Sequence, residues 1–257
     1  MVANRGRSRI FWAVDAGRKP ATGRIDRPHK QLGLQLELFR LDSQNIYRSG
    51  ALEKLPWLAH GFGTRLSADW PDTADLATVR QVHSDRILLA DRPGCAGEGD
   101  ALISNQPGLT LAVRTADCLP ILIADPRHRA VAAIHAGWRG TAREIASKAL
   151  QAMANHFGTR PEDAIVVIGP GIGGCCFEVG PEVAIQFAPY FPERSDLRGR
   201  IRIDLAETNR RQLRRNGVTM SQIVSSSLCS CCRKDQFHSY RRDREAAGRM
   251  VTTIRVA

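Results

Sequence analysis

The chain has 257 residues, 43% of them apolar, and a formal charge of +11. That length and apolar content can bury a full core in one large or two small domains. No apolar run approaches the roughly 20 residues that cross a bilayer as a helix, which argues against a membrane-spanning segment. The charge is uneven: residues 1–30 hold eight Lys/Arg against two Asp, which is +6 of the total. This pattern predicts a basic, flexible leader over residues 1–31 and argues against a nucleic-acid partner. Seven cysteines, an odd number, occur with no signal-peptide-length apolar core ahead of them. They read as reduced thiols of a cytoplasmic protein rather than a disulfide framework.

In chain order, Leu32, Leu34, Leu36 and Leu38 alternate with Gly33, Gln35 and Glu37, which predicts a strand over 32–38. His60-Gly61-Phe62-Gly63-Thr64-Arg65 reads as a Gly-punctuated strand end or turn. Val79 and Val82 flank a strand from which His83 emerges. A turn is expected over 97–100 and strands over 101–103 and 109–113. Two apolar runs, 119–124 and 130–134, read as buried strands joined by a turn at Asp125-Pro126-Arg127. A helix is expected over 141–157, closed by Gly158, and a strand over 164–168. Residues 169–180 contain five glycines and suit a loop whose backbone approaches a ligand. Pro181 opens a short helix; Asp204 caps another over 205–215, ended by Asn216-Gly217. Strands over 218–226 and 251–256 complete the pattern. Strands and helices mix without a repeating βαβ unit or an internal repeat, so residues 32–257 read as one α+β or α/β domain.

The centre of this pattern is the hairpin. Cys118 precedes its first strand and His135 follows its second, so antiparallel pairing makes them neighbours. Singly, Cys118, His135 and the strand-end His83 have ordinary readings as a small buried thiol and hydrogen-bonded imidazoles. Together they compose a His₂Cys set with an open fourth position, the arrangement of catalytic zinc. Copper is the other metal such ligands would accept, and Cys118 with His135 could instead serve a cysteine hydrolase as nucleophile and base. Arg139 lies between Gly137 and Gly140 where a helix begins, a place for an anion. Gly169 and Gly173 belong to the glycine loop, which lacks the Gly-Lys-Ser/Thr of a nucleotide triphosphate loop. Tyr240, Arg241 and Arg242 suit a pocket wall. Cys229-Ser230-Cys231-Cys232, with His238 nearby, lacks a second cysteine pair to complete four ligands and reads as structural or incidental.

These motifs occur together in one family. Arg80-Gln81-Val82-His83, Gly99-Asp100-Ala101, Thr115-Ala116-Asp117-Cys118-Leu119-Pro120, His135-Ala136-Gly137-Trp138-Arg139-Gly140, Ile168-Gly169-Pro170 with Phe177-Glu178-Val179-Gly180, and Ser239-Tyr240-Arg241-Arg242-Asp243 with Gly248-Arg249-Met250 stand in its order. From about Ile46 to Ala257 the chain resembles the laccase-domain family, also called multicopper polyphenol oxidoreductases, whose members act as purine nucleoside phosphorylases. The resemblance implies a single layered α/β domain with mixed β-sheets packed between helices. It implies zinc held by His83, Cys118 and His135; on the reading of the residues themselves, Arg139 at the helix start would hold phosphate, and the 169–174 loop with Tyr240-Arg241-Arg242 would shape the nucleoside pocket. It also implies phosphorolysis of adenosine, inosine and methylthioadenosine, with adenosine deamination; the partners are then purine nucleosides and phosphate. Two features depart from the family's pattern: the short connection from Arg65 to Arg80, where a helix-length insert is usual, and Arg114, where an uncharged strand residue is expected. The alternative carried by the family's other name, a copper-dependent phenol oxidase, needs about ten histidine ligands for four coppers; the chain has seven.

Overall fold

A computed structural model describes residues 39–67, 70–71 and 74–257. The leader over 1–31 and the strand expected over 32–38 lie outside the described residues. The chain runs through β1 (Phe39–Leu41), β2 (Ile46–Ser49), the one-turn α1 (Gly50–Glu53), β3 (Leu58–Gly63), β4 (Leu76–Arg80), β5 (Ile87–Leu89), β6 (Gly94–Glu98), β7 (Ala101–Ser104) and β8 (Thr110–Thr115). The central hairpin is β9 (Leu119–Asp125) and β10 (Ala130–Ala136). After it come α2 (Trp138–Ala142), α3 (Ile145–Phe157), β11 (Ile165–Ile168), β12 (Glu178–Val179), α4 (Pro181–Ala184), β13 (Ile201–Arg202), α5 (Leu205–Arg215), β14 (Ile223–Ser225), α6 (Tyr240–Asp243) and β15 (Met250–Val256).

Two mixed sheets result, in the orders β1-β2-β3-β15-β8-β4-β6 and β14-β11-β9-β10-β7-β5, with β12 and β13 as a separate pair. The alternation of side chains along a strand explains how the second sheet is covered. On β9, Ile121 and Ile123 face one buried cluster and Leu122 and Ala124 the other; on β10, Ala132 and Ile134 oppose Val131 and Ala133 in the same way. One cluster contains Ile145, Ala149 and Met153 of α3 with Leu205 and Leu213 of α5. The other contains Phe62, Leu111, Val113 and Ile254 of the first sheet. The layers are therefore sheet, sheet, helices: a mixed α/β architecture, with α3 and α5 on one outer face. Every residue of β9 and β10 is buried. A strand covered on both faces reads as a continuous apolar run, which is the pattern the hairpin shows.

Three expectations are corrected. Residues 97–100 do not form only a turn: Gly94–Glu98 is an edge strand pairing parallel with β4, and the turn is left to Gly99-Asp100. Gly94 and Gly97, both at positive φ, conceal this strand because they carry no side chain to mark an alternation. The helix over 141–157 is two helices. Glu144 between them is left-handed (φ 62°), and its carboxylate accepts the Tyr190 hydroxyl at 2.7 Å. The Thr141 carbonyl, which a continuous helix would offer to Ile145, instead accepts Gln212 Nε2 at 2.8 Å. The strand over 218–226 shrinks to Ile223–Ser225, preceded by a 3₁₀ turn at Met220–Gln222. The caps at Asp204, Asn216-Gly217 and Gly158 are where the sequence puts them. Among the described residues no helix is long and apolar enough to cross a membrane.

Candidate metal centre and its cavity

The hairpin register pairs His135 with Pro120 and Ala136 with Leu119. Cys118 and Gly137 are thus the next residues on the two strands. A Cβ on Gly137 would lie 2.9 Å from the Cys118 sulfur and 3.2 Å from the His83 ring, so only glycine leaves room for both side chains. His83 arrives from the first sheet's β4, three residues past its end, in a left-handed conformation (φ 57°). The His83 and His135 rings meet edge to face at 4.9 Å between centroids. The donor atoms of His83, Cys118 and His135 all lie within 4.8 Å of one another. His83 is exposed, Cys118 half-buried and His135 buried, so the group is open on one side.

Asp100 holds this arrangement together. Its carboxylate takes the backbone N–H of His83 at 3.0 Å, and the N–H and hydroxyl of Ser84 at 2.6 and 2.7 Å. It also accepts His135 Nδ1–H at 2.8 Å, while its own carbonyl accepts the His135 N–H at 2.7 Å. Burial opposes charge on Asp100, but the His135 and Ser84 hydrogen bonds prevail and hold its pKa down at about 2. With Nδ1 committed to Asp100, Nε2 is the nitrogen left for a metal, which is how carboxylates orient metal-binding histidines. Burial alone would raise the Cys118 thiol, but His135 and then His83 bring it down to about 6. Burial alone would lower His135; the Cys118 thiolate and Asp100 push it up to about 9. A thiolate and two imidazoles, one of them oriented by Asp100, form a donor set that fits a tetrahedral metal with one open position.

A cavity of about 790 Å³ opens over the trio. Its lining includes Arg139, Tyr240 and Arg241, as expected, and also Arg114, Arg244, Arg249, Gln81 and Phe177. Five arginines against Asp117, Glu178 and Glu182 make it anion-attracting. Arg139 is exposed and stacks on Trp138 at 4.4 Å, with no carboxylate partner among the described residues. It belongs to a helix of only five residues, shorter than expected, so the side chain rather than a helix terminus is the feature there. Arg241 donates to the carbonyls of Cys176 and Glu178, and its backbone N–H bonds Asp117 at 2.6 Å. Gln81 donates to and accepts from the backbone of Arg114, extending the ladder between β4 and β8 to the cavity edge.

Three expected pocket residues are absent from the lining. A Cβ on Gly169 would sit 2.3 Å from the Phe62 ring, so its close approach is to the core and not to a ligand. Gly173 lies against Cys175 and Cys229. Arg242 turns inward, bonding the carbonyls of Ser230, Cys231 and Phe237 and pairing with Asp243. Sequence reasoning singled out neither Asp100 nor Asp117 for a role. Asp117, at φ 83°, accepts the Ser230 hydroxyl as well as the Arg241 N–H and so joins the hairpin to the tail. The available signal was a lone acid directly before an apolar strand or a metal-capable cysteine.

This fold and site define a laccase-domain protein: the chain belongs to the family of multi-copper polyphenol oxidoreductase laccases, whose model matches residues 64–257. Among its relatives, the purine nucleoside phosphorylase of Deinococcus radiodurans is 42% identical over 185 residues, 70% of each chain. A protein named adenosine deaminase RL5, from an unknown prokaryotic organism, is 36% identical over 71% of this chain and 76% of its own. The crystal structure of YlmD from Geobacillus stearothermophilus superposes with a TM-score of 0.78 at 29% identity, over 86% of this chain and 99% of that one.

Proposed function

We propose that this chain is a zinc-dependent purine nucleoside phosphorylase, acting on adenosine, inosine and methylthioadenosine, with an associated adenosine deaminase activity. The observation that carries the reading is the meeting of His83, Cys118 and His135 beneath an arginine-lined cavity. The phosphorylase and deaminase names of the relatives above support both reactions. His83, Cys118 and His135 would hold the zinc, which when bound supplies Lewis acidity at a polar atom of the substrate or water. Arg139 presents a free guanidinium fork to phosphate and positions it against the ribose C1′. Phe177 offers an apolar face to the purine, and Arg241, fixed by two carbonyls, closes the wall beside it. Asp100 keeps the His135 Nδ1 proton in place, so that the imidazole presents one face throughout. Seven free thiols suit a reducing, cytoplasmic setting.

Product analysis of adenosine incubated with the protein tests the reading. Adenine and ribose 1-phosphate should form only when phosphate is present, and inosine should form without it. An adenosine solution left unchanged in both conditions by zinc-loaded protein would overturn the proposal.

A further inference from the structure

Four cysteines outside the cavity converge on one point. Cys175 and Cys176 lie in the glycine loop after β11; Cys229 and Cys232 lie in the loop after β14. All four sulfurs fall within 4.8 Å of one another. Cys176 is 3.3 Å from Cys232, Cys175 is 3.6 Å from Cys232, and Cys175 and Cys176 are 3.8 Å apart. A disulfide would bring two sulfurs to about 2.05 Å. Four thiolates about 2.3 Å from a common zinc stand about 3.8 Å apart, the edge of the tetrahedron. The observed separations are of that size.

The backbone is shaped around the cluster. Gly171 and Cys229 form an isolated parallel bridge, and the Ser230 N–H donates to the Gly171 carbonyl at 2.9 Å. The Gly173 N–H donates to the Cys229 sulfur at 3.2 Å, a bond that stabilises a thiolate ligand and fixes its direction. A Cβ on Gly173 would approach the sulfur of Cys175 to 3.3 Å. Cys229 and Cys232 stand in C-x-x-C spacing. Cys231 between them is the thiol left over, and the missing second pair is Cys175-Cys176. His238 takes no part: the cluster is made of the four cysteines alone, and the His238 ring lies against Gly248. A zinc with four thiolates carries two net negative charges, and two cations border the loops: Arg241 bonds the Cys176 carbonyl and Arg242 the Cys231 carbonyl. Cys175 and Cys232 are exposed, which gives an ion a route in.

We infer that Cys175, Cys176, Cys229 and Cys232 form a second, structural zinc site that clamps the glycine loop to the 229–232 loop. Soft thiolates in tetrahedral array select zinc, and a closed four-ligand site is structural. The site acts as a staple, because these two loops carry the Arg241 and Asp117 contacts that form one cavity wall.

The test is metal analysis of the full chain purified under reducing conditions without added metal, followed by cobalt substitution. Wild-type protein should hold about two zinc ions per chain and Cys118→Ala about one. Cobalt-loaded Cys118→Ala should show the intense charge-transfer absorption of four thiolates. Cys176→Ser/Cys232→Ser should lose that band and one metal equivalent; if it fails to fold, the wild-type and Cys118→Ala spectra still decide the matter. One zinc in both the wild type and Cys118→Ala, with the four-thiolate band in each, would support this inference while sinking the cavity metal. A Cys118→Ala protein that binds no metal, or whose intact mass shows the four thiols joined as disulfides after reducing purification, would overturn it.

Discussion

Asp100 donates no proton to His135 and accepts one, Nδ1–H at 2.8 Å, with the same carboxylate that holds the backbone of His83 and Ser84. One residue thereby sets the direction of one imidazole and the position of the other. Asp100→Asn keeps the shape but puts an amide NH₂ where donors converge. Zinc affinity, measured by competition with a chromogenic chelator, should fall about 10–100-fold. A variant that binds zinc at the cavity as tightly as wild type would show that Asp100 serves folding alone.

Cys118 offers a pH signature. In metal-free protein its thiol is held at about 6, so the thiolate fraction rises as pH rises through that value. Its alkylation by iodoacetamide should reach half its maximal rate near pH 6, well below the ordinary thiol range of about 8.5. Zinc should abolish the reaction across the whole range, because the sulfur's lone pair is then committed to the metal. A cysteine nucleophile would behave oppositely: alkylation would destroy activity that chelation leaves intact. That pair of results would put the hydrolase reading in place of the metal one.

The hairpin was legible because burial on both faces writes an unbroken apolar run, and because strand pairing turns sequence distance into a known register. Cys118 and His135 follow from that alone. His83 joins them through a left-handed residue and a buried carboxylate, and neither leaves a periodic trace. The four-cysteine cluster was hidden for a similar reason. Cys229 and Cys232 needed a partner pair more than 50 positions upstream, and only the bridge between Gly171 and Cys229 shows where it comes from. The glycine loop misled because close backbone approach looks the same in sequence whether the neighbour is a ligand or, as at Gly169, the Phe62 ring.

Removal of residues 1–31 is expected to leave the protein folded and active. Residues 1–31 hold one short apolar run, 10–14, with which to dock. A chain starting at residue 32 should melt within about 2 °C of the full one, a change of less than about 1 kcal/mol at this size, and should keep its activity. An insoluble or inactive product would make the leader part of the fold.

Arg139 separates the two proposed reactions. Its guanidinium carbon lies 4.4 Å from the Trp138 ring centroid and the group pairs with no carboxylate among the described residues, so its donors are available to an anion. Lysine preserves the charge but gives up both the planar fork and much of the stacking. If phosphate is held bidentately, Arg139→Lys loses one charge-assisted hydrogen bond, worth about 1.5–3 kcal/mol, and the KM for phosphate should rise roughly 10- to 100-fold. Deamination of adenosine uses no phosphate and should change little. Initial rates of both reactions on one enzyme preparation, at equal zinc content, make the comparison. Equal losses in the two rates would assign Arg139 to the general shape of the cavity. A loss confined to kcat of phosphorolysis, with the KM for phosphate unmoved, would place it on the transition state rather than on the bound anion.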